Sequence, residues 1–294
     1  MNLIKYILEN DLGCIETNYS FSELTTIHTG GLIRYLYTPS DVSSLAVAFK
    51  YINDHNIKFL ILGNGSNILA SDNYFDGVVI NMRKMPIYLD IYADYIDVSS
   101  SYSTSKLAYD LAKLELGDLS FLGGIPGTIG GAIYNNSGAF NKSIGDFVIS
   151  VTYITKSGVV DTIDGVDIDF SYRNSIFHYY DVIIVSAKIK VSKVNTTEKL
   201  EEYLSIRRKT QPLDEYNMGS IFKNKKTIKA WEIIDLLRLR GFKVNGAKIS
   251  EKHANFIINY NKSTSRDIVC LIELIKRRAL NELGIELETE VTII

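Results

Sequence analysis

Gly123-Gly124-Ile125-Pro126-Gly127-Thr128-Ile129-Gly130-Gly131-Ala132 decides how this 294-residue chain is read. Five glycines fall within nine positions, and a proline fixes one turn. Glycine leaves the backbone free and adds nothing to a core, so the stretch suits main chain lying flat against a ligand. Ile129 and Ala132 keep it partly apolar, as a planar ring requires. Asn135-Asn136-Ser137-Gly138-Ala139 continues it with polar, flexible backbone.

Upstream, Gly63-Asn64-Gly65-Ser66-Asn67 follows the apolar run Phe59-Leu60-Ile61-Leu62, which reads as a buried strand. Two close glycines let successive amides converge on one point, the geometry that binds phosphate oxygens. Ser66 and Asn67 add side-chain donors. A dinucleotide fingerprint of the Rossmann kind needs a third glycine at 68, where Ile68 stands. Pattern alone leaves two readings of this loop open, a phosphate nest and a plain strand-to-turn connection. Thr25-Thr26-Ile27-His28-Thr29-Gly30-Gly31 forms a third polar glycine turn, in which His28 reads as a hydrogen-bonding turn residue.

Around these loops the spacing predicts mixed α and β structure. Helices are expected at 2–10, 41–53 with Ser40 as N-cap, 104–116, 198–209, 228–239 and 264–283, the last ending at Gly284. Strands are expected at Ile33–Tyr37, Val78–Ile80, Ile87–Val98, Ile149–Thr155, Val159–Ile163, Asp181–Val191 and Glu286–Ile294. Three regions result: 1–85, 86–195 and 196–294.

Bulk properties narrow the function classes. Net charge is −2, against a general nucleic-acid binder. Cys14 and Cys270 offer neither metal spacing nor a disulfide framework, and suit a reducing cytoplasm. Acidic residues occupy the N-terminal stretch where a signal peptide is apolar. No run reaches the ~18 apolar residues of a membrane span.

Taken in order, the segments resemble the UDP-N-acetylenolpyruvoylglucosamine reductase (MurB) family. The three glycine segments are joined by Tyr172-Arg173-Asn174-Ser175, then Met218-Gly219-Ser220-Ile221-Phe222-Lys223-Asn224 behind Gln211-Pro212. Gly246-Ala247-Lys248-Ile249-Ser250, His253-Ala254-Asn255-Phe256 and Leu287-Glu288-Thr289-Glu290-Val291 complete the series. Two departures stand out. Lys225 follows Phe-Lys-Asn where the family often has proline, and Ser137, Phe140 and Asn141 replace the usual Ala, Tyr and Gly of an Asn-Ala-Gly-Ala-Tyr-Gly stretch. No insertion supplies the tyrosine-bearing substrate loop of the longer family form, so the chain resembles the shorter one.

The resemblance implies an α+β, three-domain fold of the vanillyl-alcohol-oxidase/p-cresol-methylhydroxylase type. Residues 1–85 and 86–195 would bind FAD noncovalently, and 196–294 the UDP-sugar. It implies NADPH as reductant, a small-molecule UDP-sugar substrate, a cytoplasmic monomer, and no nucleic-acid or membrane partner. Carried over by motif, Arg173 would stabilise the enolate and carboxylate, Ser220 would donate the proton, and Glu290 would assist. Read without the resemblance, these are a surface ion pair, a turn hydroxyl and a strand-face carboxylate. The expected cofactor contacts are Thr29, Gly30, Gly63, Asn64, Gly65, Ser66, Asn67, Gly124, Ile125, Pro126, Gly127, Thr128, Gly130, Gly131 and Ala132. Lys223, Asn224, Lys248 and Asn255 are the expected substrate contacts, and no metal is expected. Two rivals are another FAD oxidoreductase of this fold and a nucleotide-sugar binding protein without redox activity.

Overall fold

The computed structural model describes residues 2–294. They form two units. The first holds the N-terminal stretch through Asn18, Arg34–Asn64 and Asp76–Ser205; the second holds Tyr19–Ile33, Gly65–Phe75 and Ile206–Ile294.

The first unit has two cores. One lies on a four-stranded sheet ordered Gly13–Ser20, Leu32–Pro39, Phe75–Asn81, Phe59–Leu62. The last two strands run parallel, Phe59 opposite Val78 through Leu62 opposite Asn81. Val78, Val79 and Ile80 are fully buried, whereas in the expected buried strand Phe59–Leu62 only Leu62 is, the other three being half-buried. Helix Val42–Asp54 presents Leu45, Phe49 and Ile52 to that core. Its N-cap is Asp41, not the expected Ser40: the carboxylate accepts from the Ser44 amide at 2.7 Å. That backbone bond holds the Asp41 carboxyl below its usual range.

The second core of this unit lies on an antiparallel sheet ordered Val160–Asp164, Val148–Ile154, Ile183–Lys190, Tyr95–Ser99, Leu89–Ile91. Helix Thr104–Lys113 stops before the expected 116, because Glu115 turns into the left-handed region at φ 54. The glycine-rich stretch is not wholly irregular. Thr128 caps a six-residue helix, Ile129–Tyr134, which buries Ile129, Ala132 and Ile133. Its glycines hid it from a reading by propensity.

In the second unit, helices Ala230–Leu236 and Ser265–Leu283 pack on a small antiparallel sheet, Lys243–Val244, Ala247–Ile249, Ile257–Asn259. The expected 228–239 helix is trimmed at its start, where Glu232 accepts from the Lys229 amide at 2.7 Å, and at its end by Arg238, at φ 55. The long helix matches its expectation. Ile268, Leu271, Ile272 and Ile275 are fully buried, and Gly284 closes it in the left-handed conformation at φ 66. The expected terminal strand shrinks to Thr292–Ile293, parallel to Ile68–Leu69. Before it, Leu287–Glu290 engages Ile221–Lys223 through one isolated bridge, Phe222 opposite Thr289.

Candidate active site

Within the first unit the two long glycine segments meet. A Cβ placed on Gly63 would lie 2.7 Å from Thr128 Oγ1, so glycine is what allows the approach. Thr128 is buried, and its hydroxyl accepts from the Gly131 amide at 3.3 Å. The 124–131 main chain is held from below by the strand end and helix start at 99–105. Gly130 donates to the Ser100 carbonyl at 2.8 Å, Ile129 to Tyr102 at 2.9 Å, and Gly124 to Ser105 Oγ at 3.0 Å. Thr104 Oγ1 donates to the Ile125 carbonyl at 2.6 Å. A Cβ on Gly130 would meet Ser100 Cβ at 2.9 Å. These hydroxyls were missed by sequence reading. The run Ser99-Ser100-Ser101-Tyr102-Ser103-Thr104-Ser105, between a strand and a helix, is the signal that marks such a cradle.

Arg173 also belongs to this unit. It is the second central residue of a tight turn closed by Ser171 N to Asn174 O (3.1 Å) and the reciprocal bond (3.2 Å). It sits at φ 56, a conformation costly for a side chain with a Cβ. Two bonds fasten the turn to the segment after the glycine helix. Asn136 Nδ2 donates to the Ser171 carbonyl at 2.8 Å, and Arg173 Nη2 donates to the Gly138 carbonyl at 3.0 Å. The structure therefore places Arg173 beside the segment that follows the glycine helix, half-buried.

The second unit brings Ser220 and Glu290 together. Glu290 N donates to the Ile221 carbonyl at 2.7 Å, and Lys223 N to the Glu288 carbonyl at 2.9 Å, so 220–223 and 288–290 run side by side. On the other flank Asn255 clamps Phe222, accepting from its amide at 3.0 Å and donating to its carbonyl at 2.9 Å. Gly219 is left-handed at φ 78, and its Cβ direction meets nothing within 4 Å; Ser220 next to it is half-buried. Asn217 Oδ1 holds the Gly219 amide at 2.9 Å. Asn67 reaches the same place, donating to the Glu290 carbonyl at 3.2 Å while Thr292 donates to its own carbonyl at 3.0 Å. Gly65, left-handed at φ 63, presses against the Leu24 carbonyl.

The expected substrate contacts divide by chemistry. Lys223 pairs with Glu288 at 2.5 Å, and Lys248 lies 3.7 Å from Glu251 and 5.8 Å above the Tyr260 ring. Both lysine side chains are largely buried, while their carboxylate partners are exposed. Asn224 caps the 230–236 helix through the Ala230 amide at 3.0 Å. Asn255, 2% exposed, spends its amide on Phe222. His253 is half-buried, and burial first and the Arg240 charge second push it down to about 4, so it is neutral. Among the described residues no cluster of His, Cys, Asp or Glu is fit to hold a metal, and no helix is long and apolar enough to cross a membrane.

The donor set suits a dinucleotide cofactor. Thr29 is 3% exposed, and its Oγ1 is buried with no hydrogen-bond partner, a costly state that a ligand acceptor relieves. Comparison with known proteins agrees. Residues 33–164 match the family model described as FAD binding domain, and 211–294 that of the UDP-N-acetylenolpyruvoylglucosamine reductase C-terminal domain. The UDP-N-acetylenolpyruvoylglucosamine reductase of Orientia tsutsugamushi (strain Ikeda) is 36% identical over 283 residues, 94% of this chain and 93% of that protein. The chain belongs to the UDP-N-acetylenolpyruvoylglucosamine reductase family.

A solved reductase of this family, from Thermus caldophilus, superposes with a TM-score of 0.81 at 26% identity, covering 95% of this chain and 98% of that one. A berberine bridge enzyme variant superposes with a TM-score of 0.51 at 15% identity over 66% of this chain and 43% of its own. At that identity the likeness concerns the fold alone. The reductase fold here is the α+β FAD-binding fold of the vanillyl-alcohol-oxidase/p-cresol-methylhydroxylase type.

Proposed function

We propose that the chain reduces UDP-N-acetylglucosamine enolpyruvate to UDP-N-acetylmuramate with NADPH, through noncovalent FAD, in peptidoglycan precursor synthesis. The observation that carries this is the approach of Gly63 to Thr128, which makes one cradle of two glycine segments 60 residues apart by number. Cradle residues Gly63 and Asn64 in the first unit, with Gly124–Gly127, Thr128 and Gly130–Ala132, are assigned to FAD. Thr29, Gly30 and Gly65–Asn67 are proposed as cofactor contacts on their glycine-turn motifs, and the buried Thr29 hydroxyl has no hydrogen-bond partner. Bound there, FAD would supply the hydride chemistry that links NADPH to the enol ether.

The chain's own groups supply the rest. Arg173 offers a permanent charge and a fork matched to a carboxylate, so it stabilises charge developing on the enolate and carboxylate. Its bond to the Gly138 carbonyl, 3.0 Å from Nη2, fixes the orientation of the guanidinium. Ser220 delivers the proton to the second carbon. A serine hydroxyl is a poor acid, and Glu290, set beside it through the Ile221 backbone bond, is the group assigned to polarise or relay. Lys223 and Lys248 are assigned to the diphosphate as point charges. Asn224 and Asn255 act by shaping the 219–224 segment on which Ser220 and Lys223 ride.

The domain assignment we favour keeps the boundaries 1–85, 86–195 and 196–294; three buried cores follow it in the main, with Leu200 and Leu204 joining the core of the second region, Ile154, Ile183 and Val185 that of the first, and Ile27 and Leu69 that of the third. Tyr19–Ile33 and Gly65–Phe75 then serve as loops lent to the C-terminal unit. A cytoplasmic monomer acting on a soluble nucleotide sugar completes the proposal. The test is anaerobic reduction of the yellow enzyme by NADPH, followed by reoxidation with the enolpyruvyl substrate. Failure to reoxidise, with simple sugars acting instead, rejects it. A colourless protein that takes up no added FAD rejects the redox reading altogether.

A further inference from the structure

Gly138–Ala139 and Lys142–Ser143 pair as a short antiparallel hairpin, Gly138 opposite Ser143 and Ala139 opposite Lys142. Its two-residue turn is Phe140-Asn141, with both residues at positive φ, 54 and 61. That is the primed geometry which suits a hairpin's twist and which Asn-Gly normally supplies. Asn141 tolerates it; Phe140 does not, and must be held there. The hold is visible. The Phe140 ring stacks on Tyr203 at 3.8 Å between centroids, 5° from parallel. Lys142 pairs with Asp118, which also takes Lys199 at 3.2 Å, so one carboxylate ties the hairpin to the helix start at Thr197. Burial first, and the facing Lys199 charge second, lower the Lys142 ammonium's pKa, while Asp146 opposes the shift. At the hairpin's other end, the Gly138 carbonyl accepts from Arg173 Nη2 at 3.0 Å.

We propose that hairpin Gly138–Ser143 is a spring-loaded rest for the Arg173 guanidinium, and that Tyr203, which holds Phe140 in its strained turn, is a positioning residue for the reduction. The inference rests on Arg173 stabilising the enolate and carboxylate. With Tyr203 lost, the turn relaxes, the Gly138 carbonyl shifts, and the guanidinium loses the orientation its task needs. Small misplacements of a positioned group cost far more in rate than in binding.

The experiment compares Tyr203→Leu with Tyr203→Phe in the full-length FAD-loaded enzyme. In Tyr203→Leu, reoxidation by the enolpyruvyl substrate slows by about tenfold to a hundredfold, while KM stays within about threefold and flavin reduction by NADPH is unchanged. In the apoprotein of the same variant, amide exchange quickens at Ser143, Ser171 and Asn174, and the Val148–Ile154 strand stays protected. Tyr203→Phe keeps the ring and restores both readouts. Wild-type reoxidation in Tyr203→Leu overturns the proposal. So does a parallel fall of both half-reactions with loss of protection in the strand, which is plain destabilisation. If Tyr203→Leu fails to fold, Lys142→Met removes the other anchor and is judged by the same readouts. Unimpaired reoxidation in Arg173→Ala strikes the underlying reading of Arg173, separately from the role of Tyr203.

Discussion

Gly63→Ala is the sharpest probe of the cradle. Gly63 is not left-handed, so alanine meets no backbone strain there, and only the side-chain space opposes it. The new methyl lands 2.7 Å from Thr128 Oγ1, while the other Thr128 atoms lie at 3.7 and 3.8 Å, ordinary contact. The clash is thus with one oxygen, and that oxygen caps the Ile129–Tyr134 helix. Forcing it aside costs overpacking of about 1–3 kcal/mol, part of it the lost cap. Because the strain falls in the cofactor cradle, FAD affinity drops by about fivefold to 150-fold at ~1.4 kcal/mol per tenfold. Thr128→Ala alone loses the cap, about 1 kcal/mol. Independent sites would make the double variant the sum. The geometry instead makes Gly63→Ala nearly free once Oγ1 is gone, a coupling of roughly 1–3 kcal/mol. Thr128→Val, which puts a methyl in place of the oxygen, should not rescue. Fluorescence titration of apoprotein with FAD, with thermal melts alongside, reads both quantities. Additive effects, or wild-type affinity in Gly63→Ala, would show that the two segments do not share this contact.

Other outcomes follow from the same geometry. Ser220→Ala should cut the rate of reoxidation by about 10²–10⁴-fold with flavin reduction intact, read by stopped-flow absorbance; full activity removes it as donor. Arg173→Lys keeps charge but loses the fork, and should slow reoxidation nearly as much as Arg173→Ala, by about 10²–10³-fold. Burial raises the Asp267 carboxyl, but hydrogen bonds from Asn245 and Thr264 outweigh it and leave its pKa lowered. It therefore contributes stability above the unfolded value near ~3.9 that fades as pH falls below it; Asp267→Asn should flatten urea midpoints in that range. His253, lowered to about 4 with its buried Nδ1 unpartnered, stabilises above the unfolded value near ~6.5, and that share is lost as pH falls toward 4. His253→Phe should remove about 1–2 kcal/mol of the acid-side slope, the full shift being discounted for partial exposure.

How much of this was legible depends on the range of the interaction. The Ser265–Leu283 helix was readable because its apolar period, its N-cap and its terminal glycine all lie within one stretch of sequence. Strand Phe59–Leu62 was readable for the same reason. The terminal 286–294 segment was misjudged because alternation is only half of what makes a strand. A ladder also needs a neighbour, and the neighbours, Ile68–Leu69 and Ile221–Lys223, lie more than sixty residues away. The Ile129–Tyr134 helix was hidden by its own glycines, of which Gly130 answers to the close approach of Ser100 rather than to helix propensity.

The site shows the same divide more strongly. Residue types announced a ligand, since no core uses so many glycines, but nothing local said that Gly63 and Thr128 touch or that Asn67 reaches the Glu290 carbonyl. Asn255 is the instructive case. By motif it reads as a substrate contact, yet both ends of its amide are taken by Phe222, with each bond near 3 Å and the residue almost wholly buried. A motif records that a position is constrained without recording whether the constraint is a ligand or the backbone that presents one. Only the hydrogen-bond partners separate the two. On that criterion Arg173 gives one guanidinium nitrogen to Gly138 and Ser220 stays partly exposed, whereas Asn255 is committed to the frame. Substituting Asn255 should therefore disturb the Ser220–Lys223 segment as a whole, lowering stability and activity together, whereas Ser220→Ala lowers activity alone.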